Sequence, residues 1–176
     1  MTTRPVWLLD VDGVINAWDA DWGTGPTKTR VDRLNIRWAP ELAARIRAVA
    51  PAVDIVWATT WCGFPDQLTA LGQMLGLEGL PSAFDGRPLS KTWADQKLEA
   101  ALRVLDGGRR LIWTDDTEVQ AAADLYPQIA AAARDRRALL IEPDGRRGLR
   151  PAHLDAIEAF TRPLTTTTTA STEESR

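Results

Sequence analysis

The sequence is poor in the two residue types that most often build reactive or metal-binding centres, with one cysteine, Cys62, and one histidine, His153. A single thiol excludes an intrachain disulfide and a cysteine-rich zinc site, and a reducing compartment is the expectation. A single imidazole excludes any centre built on two histidines, so acid, base and metal duties fall to carboxylates. No apolar run approaches the roughly 18–20 residues that cross a bilayer, and no membrane partner is expected. The opening residues Met1-Thr2-Thr3-Arg4-Pro5 run directly into Val6-Trp7-Leu8-Leu9-Asp10, without the apolar stretch of about 7–15 residues that marks a secretory leader. The reading is a cytoplasmic protein. There is no basic excess either: 21 Lys and Arg stand against 24 Asp and Glu, a net charge of −3. General electrostatic attraction to nucleic acid is thereby excluded, and any contact with it has to be local.

What the 176 residues do have is an apolar content of 44%, too high for a disordered chain, and eight tryptophans. The length suits one domain. Four short aliphatic runs, 6–9, 54–58, 111–114 and 138–142, read as buried strands. Helical patterns cover 40–49, 65–75, 93–105 and 117–126, and a closing helix follows Pro151 over 151–161. Strand and helix alternate, which predicts an α/β fold around a mainly parallel sheet, with functional residues beyond the carboxyl ends of its strands. Residues 16–37 are less regular: Gly23, Gly25 and Pro26 mark a turn, and 31–38 alternate weakly, which predicts a hairpin or flap. Past Arg162 the chain carries five consecutive threonines, 165–169, and then only small or charged residues. The division is a globular domain over 1–162 and a disordered Thr-rich tail over 163–176.

The first strand opens onto Asp10-Val11-Asp12-Gly13-Val14. Two carboxylates one residue apart at a sheet edge, with a glycine that lets the backbone turn, can face one pocket and hold a hard cation such as Mg²⁺. A solvated turn is the bland reading of the same residues. The third strand opens onto Asp115-Asp116-Thr117. Four acidic groups at neighbouring strand ends are costly without a cation, although an Asp at this position also caps a helix. The second strand ends in Thr59-Thr60-Trp61, whose hydroxyl and backbone N–H groups suit phosphate oxygens. Lys97, with Lys91 as rival, is the candidate cation for balancing a phosphate.

This order of elements resembles the haloacid dehalogenase (HAD) superfamily of phosphohydrolases. Asp10-Val11-Asp12-Gly13-Val14 looks like its first motif, Thr59 its second, Lys97 its third and Asp115-Asp116 its fourth. The resemblance runs over roughly residues 5 to 145. Lys97 lies eighteen residues before Asp115 and Lys91 twenty-four; the shorter spacing favours Lys97. More narrowly, Leu9 to Val14, Val56 to Trp61, Ile112 to Asp116 and Gly148-Leu149-Arg150-Pro151-Ala152-His153-Leu154 resemble the small branch related to the phosphatase-like domain of Swiss army knife RNA-repair proteins. The surroundings of the third motif depart from the usual pattern.

The resemblance implies a Rossmann-like three-layer sandwich with a minimal, C0-type cap. It also implies an in-line phosphoryl transfer in which Asp10 attacks phosphorus to form an aspartyl-phosphate, with Asp12 as general acid and base. Mg²⁺ is implied on Asp10, the Val11 carbonyl, Asp12 through its backbone carbonyl or a water, and one or both of Asp115 and Asp116. Thr59, Thr60 and Lys97 are implied to hold phosphate oxygens. A hydrolytic dehalogenase needs neither Asp12 nor a metal. A response-regulator receiver has adjacent acids after its first strand rather than Asp-x-Asp. A catalytically silent phosphate- or protein-binding module is the alternative of a different class.

No sizeable cap fits between the motifs, so an open site is expected, accessible to a phosphorylated small molecule, a nucleotide or a polynucleotide phosphate end. Trp18, Trp22 and Trp61 are candidates for stacking on bases, and Arg30, Arg33 and Arg37 for local positive charge. Core packing and a solvated face are the bland readings of the same residues. Gly145-Arg146-Arg147-Gly148 reads as a turn without a site role, Cys62 as a bystander, and His153 as capping or packing the last helix.

Overall fold

The computed structural model describes residues 3–20, 22–86 and 90–162. The expected tail, 163–176, lies outside the described residues. Four strands, β1 (Val6–Leu9), β4 (Asp54–Trp57), β5 (Leu111–Thr114) and β6 (Ala138–Ile141), form one parallel sheet in the order β4-β1-β5-β6. The register pairs Leu9 with Trp57 on one side and with Thr114 on the other. All four residues of β1 and all four of β5 are buried, as central strands covered on both faces must be.

Side chains alternate across that sheet. Trp7, Leu9, Ile55, Trp57 and Ile112 face one core, shared with α1 (Pro40–Val49), α2 (Pro65–Leu75) and α6 (Pro151–Thr161). Val6, Leu8, Leu111, Trp113 and Ala138 face the other, shared with α3 (Trp93–Asp106), α4 (Val119–Leu125) and α5 (Pro127–Arg134). The result is the three-layer α/β sandwich expected from the alternation. Three of the tryptophans, Trp7, Trp57 and Trp113, are its largest fully buried side chains. Among the described residues no helix is long and apolar enough to cross a membrane.

The irregular stretch forms an antiparallel hairpin of β2 (Thr27–Val31) and β3 (Leu34–Trp38). The expected helix over 117–126 divides differently. Residues 115–118 are a loop, α4 starts only at Val119, and Tyr126 adopts an extended backbone before Pro127 opens α5. The break follows from proline: the residue before it is pushed out of the helical region, while proline itself is well placed in a first turn.

Candidate active site

Three strand ends converge on one edge of the sheet. The ladder continues one residue beyond the strands, with Asp10 N–H donating to the Thr114 carbonyl (3.1 Å) and Ala58 N–H to the Leu9 carbonyl (2.9 Å). This sets Asp10, Asp115 and Thr59 just past the carboxyl ends of β1, β5 and β4. Helix α3 runs back from that edge. Its start is fixed by a capping box: Asp95 N–H donates to Thr92 Oγ1 (3.1 Å), and Thr92 N–H donates to Asp95 Oδ2 (2.8 Å). Lys97, Ala100, Ala101 and Leu105 then share the buried face of the helix.

Lys97 reaches the edge from that face. Its ammonium stands 2.6 Å from Asp10 Oδ2 and 2.6 Å from Asp115 Oδ2. All three residues are buried, at 4%, 5% and 0% exposure respectively. Lys91, the rival, pairs with Glu99 at 2.6 Å instead. The remaining oxygens of the two acids are also engaged. Asp10 Oδ1 accepts from Val11 N–H (2.6 Å), and Asp115 Oδ1 accepts from the N–H groups of Thr117 (3.1 Å) and Glu118 (3.0 Å). Asp115 therefore shapes the loop ahead of α4 as well as holding the lysine.

Two carboxylates against one ammonium leave the buried cluster with an excess negative charge. Burial, aided by the Asp115 charge and opposed by Lys97, pushes the Asp10 carboxyl up to about 7. Lys97 is itself held charged: burial works against its ammonium, but Asp10 and Asp115 outweigh that and raise its pKa. Asp116 is half-buried, and burial together with the Asp115 charge raises its pKa as well. The cluster as a whole favours an added positive charge, whether a proton or a metal ion.

Carboxylate oxygens of Asp10, Asp115 and Asp116 lie within 4.8 Å of one another. Asp116 forms no ion pair among the described residues, and its carboxylate packs against the backbones of Gly13 and Gly145, where a Cβ on either glycine would overlap it. An all-oxygen donor set with an unpaired carboxylate fits a hard divalent cation. The Val11 carbonyl does not fit the role expected of it. It accepts from the N–H groups of Val14 (3.2 Å), Ile15 (2.8 Å) and Asn16 (2.8 Å). The chain leaving β1 winds into a tight turn, and that turn uses the carbonyl to satisfy its own donors. No backbone N–H donates to the Asp12 carbonyl among the described residues.

Asp12 is exposed, in contrast to Asp10. Its Oδ1 accepts from Asn16 Nδ2 (2.7 Å) and its Oδ2 from Trp61 Nε1 (2.9 Å). Trp61 belongs to the 3-10 turn Thr60–Gly63 that follows β4, and its backbone N–H is held by Thr59 Oγ1 at 3.4 Å. Thr59 is fully buried and Thr60 partly so.

The tryptophans proposed to stack on bases part company here. Trp61 is buried and bonded to Asp12, and Trp22 is buried with Nε1 donating to the Leu149 carbonyl (2.6 Å), so neither presents a free ring. Trp18 is 59% exposed, with the Arg37 guanidinium 3.1 Å from its ring centroid. Arg30 and Arg33 are exposed on the hairpin. His153 Nδ1 accepts from Arg150 N–H (3.2 Å) at the start of α6. Cys62 is buried, and burial pushes its thiol up. Asn16 carries no signal in the sequence, and Gly145, read there as part of a turn without a site role, lies against the Asp116 carboxylate.

A parallel four-strand sheet flanked by helices, with acidic residues at the ends of its two central strands, defines a Rossmann-like domain with a carboxylate site at its sheet edge. Residues 6–154 match the family described as the HAD domain in Swiss Army Knife RNA repair proteins, and the chain belongs to that family. No curated protein and no solved structure gave a match.

Proposed function

We propose that the protein is a Mg²⁺-dependent phosphatase working through an aspartyl-phosphate, with a nucleotide or a polynucleotide phosphate end as substrate. The observation that carries this reading is the Lys97 ammonium bonded to both Asp10 and Asp115. It fixes one oxygen of the nucleophile and provides a buried positive charge where phosphate charge must be balanced. Asp10 attacks phosphorus as the bond to the leaving oxygen breaks. Asp12, at the mouth of the site, gives that oxygen a proton and afterwards takes one from the water that releases phosphate. Thr59 and Thr60 contribute hydroxyl and N–H groups to the phosphate oxygens. Asp10, Asp116 and the Asp12 carbonyl would hold Mg²⁺, with Asp115 supporting them from behind. When bound, the ion supplies the charge that lets an anionic nucleophile approach an anionic phosphate.

The substrate class rests on the family's place in RNA-repair proteins and on two features of the surface: the exposed Asp12 and the exposed Trp18 with its Arg37 neighbour. The test is phosphate release from p-nitrophenyl phosphate and from 3′- and 5′-phosphorylated oligonucleotides, with Mg²⁺ or EDTA, for wild type and Asp10→Asn. Metal-dependent turnover that Asp10→Asn abolishes is the expected result. A folded, Mg²⁺-binding protein inactive on all of them would instead favour the silent binding module.

A further inference from the structure

The geometry points to Trp61 and Asn16 as positioning residues that clamp the Asp12 carboxylate for proton transfer. The inference rests on the phosphatase reading and adds to it a role for an indole and an amide. Asp12 is exposed, and an exposed aspartate ordinarily samples several rotamers. This one is held at both oxygens by donors from different parts of the chain: Asn16 Nδ2 on Oδ1 at 2.7 Å, Trp61 Nε1 on Oδ2 at 2.9 Å. An ionised carboxylate has about four lone-pair sites, so each oxygen keeps one for the proton in transit.

The donors are themselves fixed. The Asn16 amide has its Oδ1 accepting from Arg37 N–H at 2.9 Å, which determines which end of the amide faces Asp12 and ties it to β3. Trp61 is only 4% exposed, packed in the core shared with α1 and α2, and its backbone N–H is bonded to Thr59. The turn that carries the phosphate-binding Thr59 thus also carries the donor that orients the acid–base group. Indole N–H is a donor only and cannot swap roles with the carboxylate, so the contact holds one orientation without offering a competing proton acceptor. Proton transfer requires such alignment: misplacement by about 1 Å can cost about a hundredfold.

The consequence is a dependence on the leaving group. An alkoxide must be protonated as it departs, whereas p-nitrophenolate leaves without that help. Trp61→Phe keeps a large apolar ring and removes the N–H. We expect its kcat/KM to fall at least about tenfold more on an alkyl phosphate than on p-nitrophenyl phosphate. In an Asp12→Ala background, where nothing remains to be positioned, Trp61→Phe should cost less than about twofold on either ester. Asn16→Ala should show the same pattern.

Equal losses on both esters, or a loss that adds in full to that of Asp12→Ala, would assign Trp61 to packing alone and overturn the inference. If Trp61→Phe does not fold, the indole N–H resonance of Trp61 in ¹⁵N-labelled protein decides: Asp12→Ala should shift it, and an unmoved resonance overturns the clamp. The two failures are distinguishable. Turnover that survives Asp10→Asn, or a wild type inactive on every ester, sinks the phosphatase reading and the clamp with it. Leaving-group-independent losses in an enzyme that Asp10→Asn inactivates sink the clamp alone.

Discussion

The Asp116 carboxylate occupies the space that a Cβ on Gly13 would take. Gly13 also has φ of +70°, in the left-handed region where a side chain costs about 1–2 kcal/mol. Two independent requirements, a backbone turn and room for a carboxylate, thus fall on one residue between Asp12 and the rest of the loop.

Gly13→Ala should therefore lower stability by more than the backbone cost alone and displace Asp116, with loss of the metal response. Gly145→Ala makes a useful contrast. Gly145 is not in the left-handed region, and its added Cβ would meet the same carboxylate. Thermal melts and Mg²⁺ titration calorimetry of both variants should show a melting loss mainly in the first and weakened Mg²⁺ binding in both. Unchanged Mg²⁺ binding in both variants would remove Asp116 from the ligand set.

Lys97 is the only side-chain cation bonded to the two buried acids among the described residues. Lys97→Met strands both, and removing one partner of a buried ionic group typically costs about 3–5 kcal/mol. The loss should be largest in metal-free protein above neutral pH and shrink in mild acid, where Asp10 takes up a proton. Urea unfolding with EDTA, at about pH 8 and about pH 5, measures it. A loss equal at both pH values would mean that Asp10 is not the stranded group.

Metal-free wild type should show a related trend. Burial raises Asp10 from 3.8 to about 7, so the folded protein binds that proton more tightly than the unfolded chain does. The stabilisation this group contributes is present below about pH 4 and is lost as the pH rises through about 7. Asp116 is shifted in the same direction. Mg²⁺ requires ionised carboxylates, so its binding should strengthen from about pH 5 to about pH 8 and release protons near neutrality. Calorimetry in two buffers of different ionisation enthalpy reads the proton count. Zero release at pH 6–7 (about the Asp10 value) would contradict an Asp10 ligand.

The strand-and-helix alternation and the hairpin were legible in the sequence because apolar runs and turn residues are local signals. The lysine was legible too: spacing favours Lys97, and helix phase agrees, since Lys97 falls in step with Ala100 and Ala101 on the buried face whereas Lys91 precedes the Thr92 cap. Helix α5 is harder to see in sequence because it is only eight residues long and Ile129 is its one large buried apolar side chain, although Pro127 marks its start. The hydrogen bonding of the Val11 carbonyl was not legible, because it depends on how residues 14–16 fold back, which spacing does not reveal. Composition likewise does not separate a stacking tryptophan from a buried one; Trp18, Trp22 and Trp61 look alike until their burial is known.

That last distinction yields a test of the substrate class. Trp18→Ala removes an exposed ring bearing the Arg37 guanidinium and leaves the core intact. If the ring receives a base, the variant should lose about 1–3 kcal/mol of oligonucleotide binding, read as a raised KM, with turnover of p-nitrophenyl phosphate unchanged. Trp22→Ala should behave in the opposite way. Its side chain fills the core and its Nε1 satisfies the Leu149 carbonyl, so truncation costs about 3–5 kcal/mol of stability and lowers activity on both substrates only in proportion to the fraction unfolded. Parallel KM measurements and melting curves separate the two effects. A Trp18→Ala enzyme with wild-type KM for every oligonucleotide would leave the open site serving small phosphate esters.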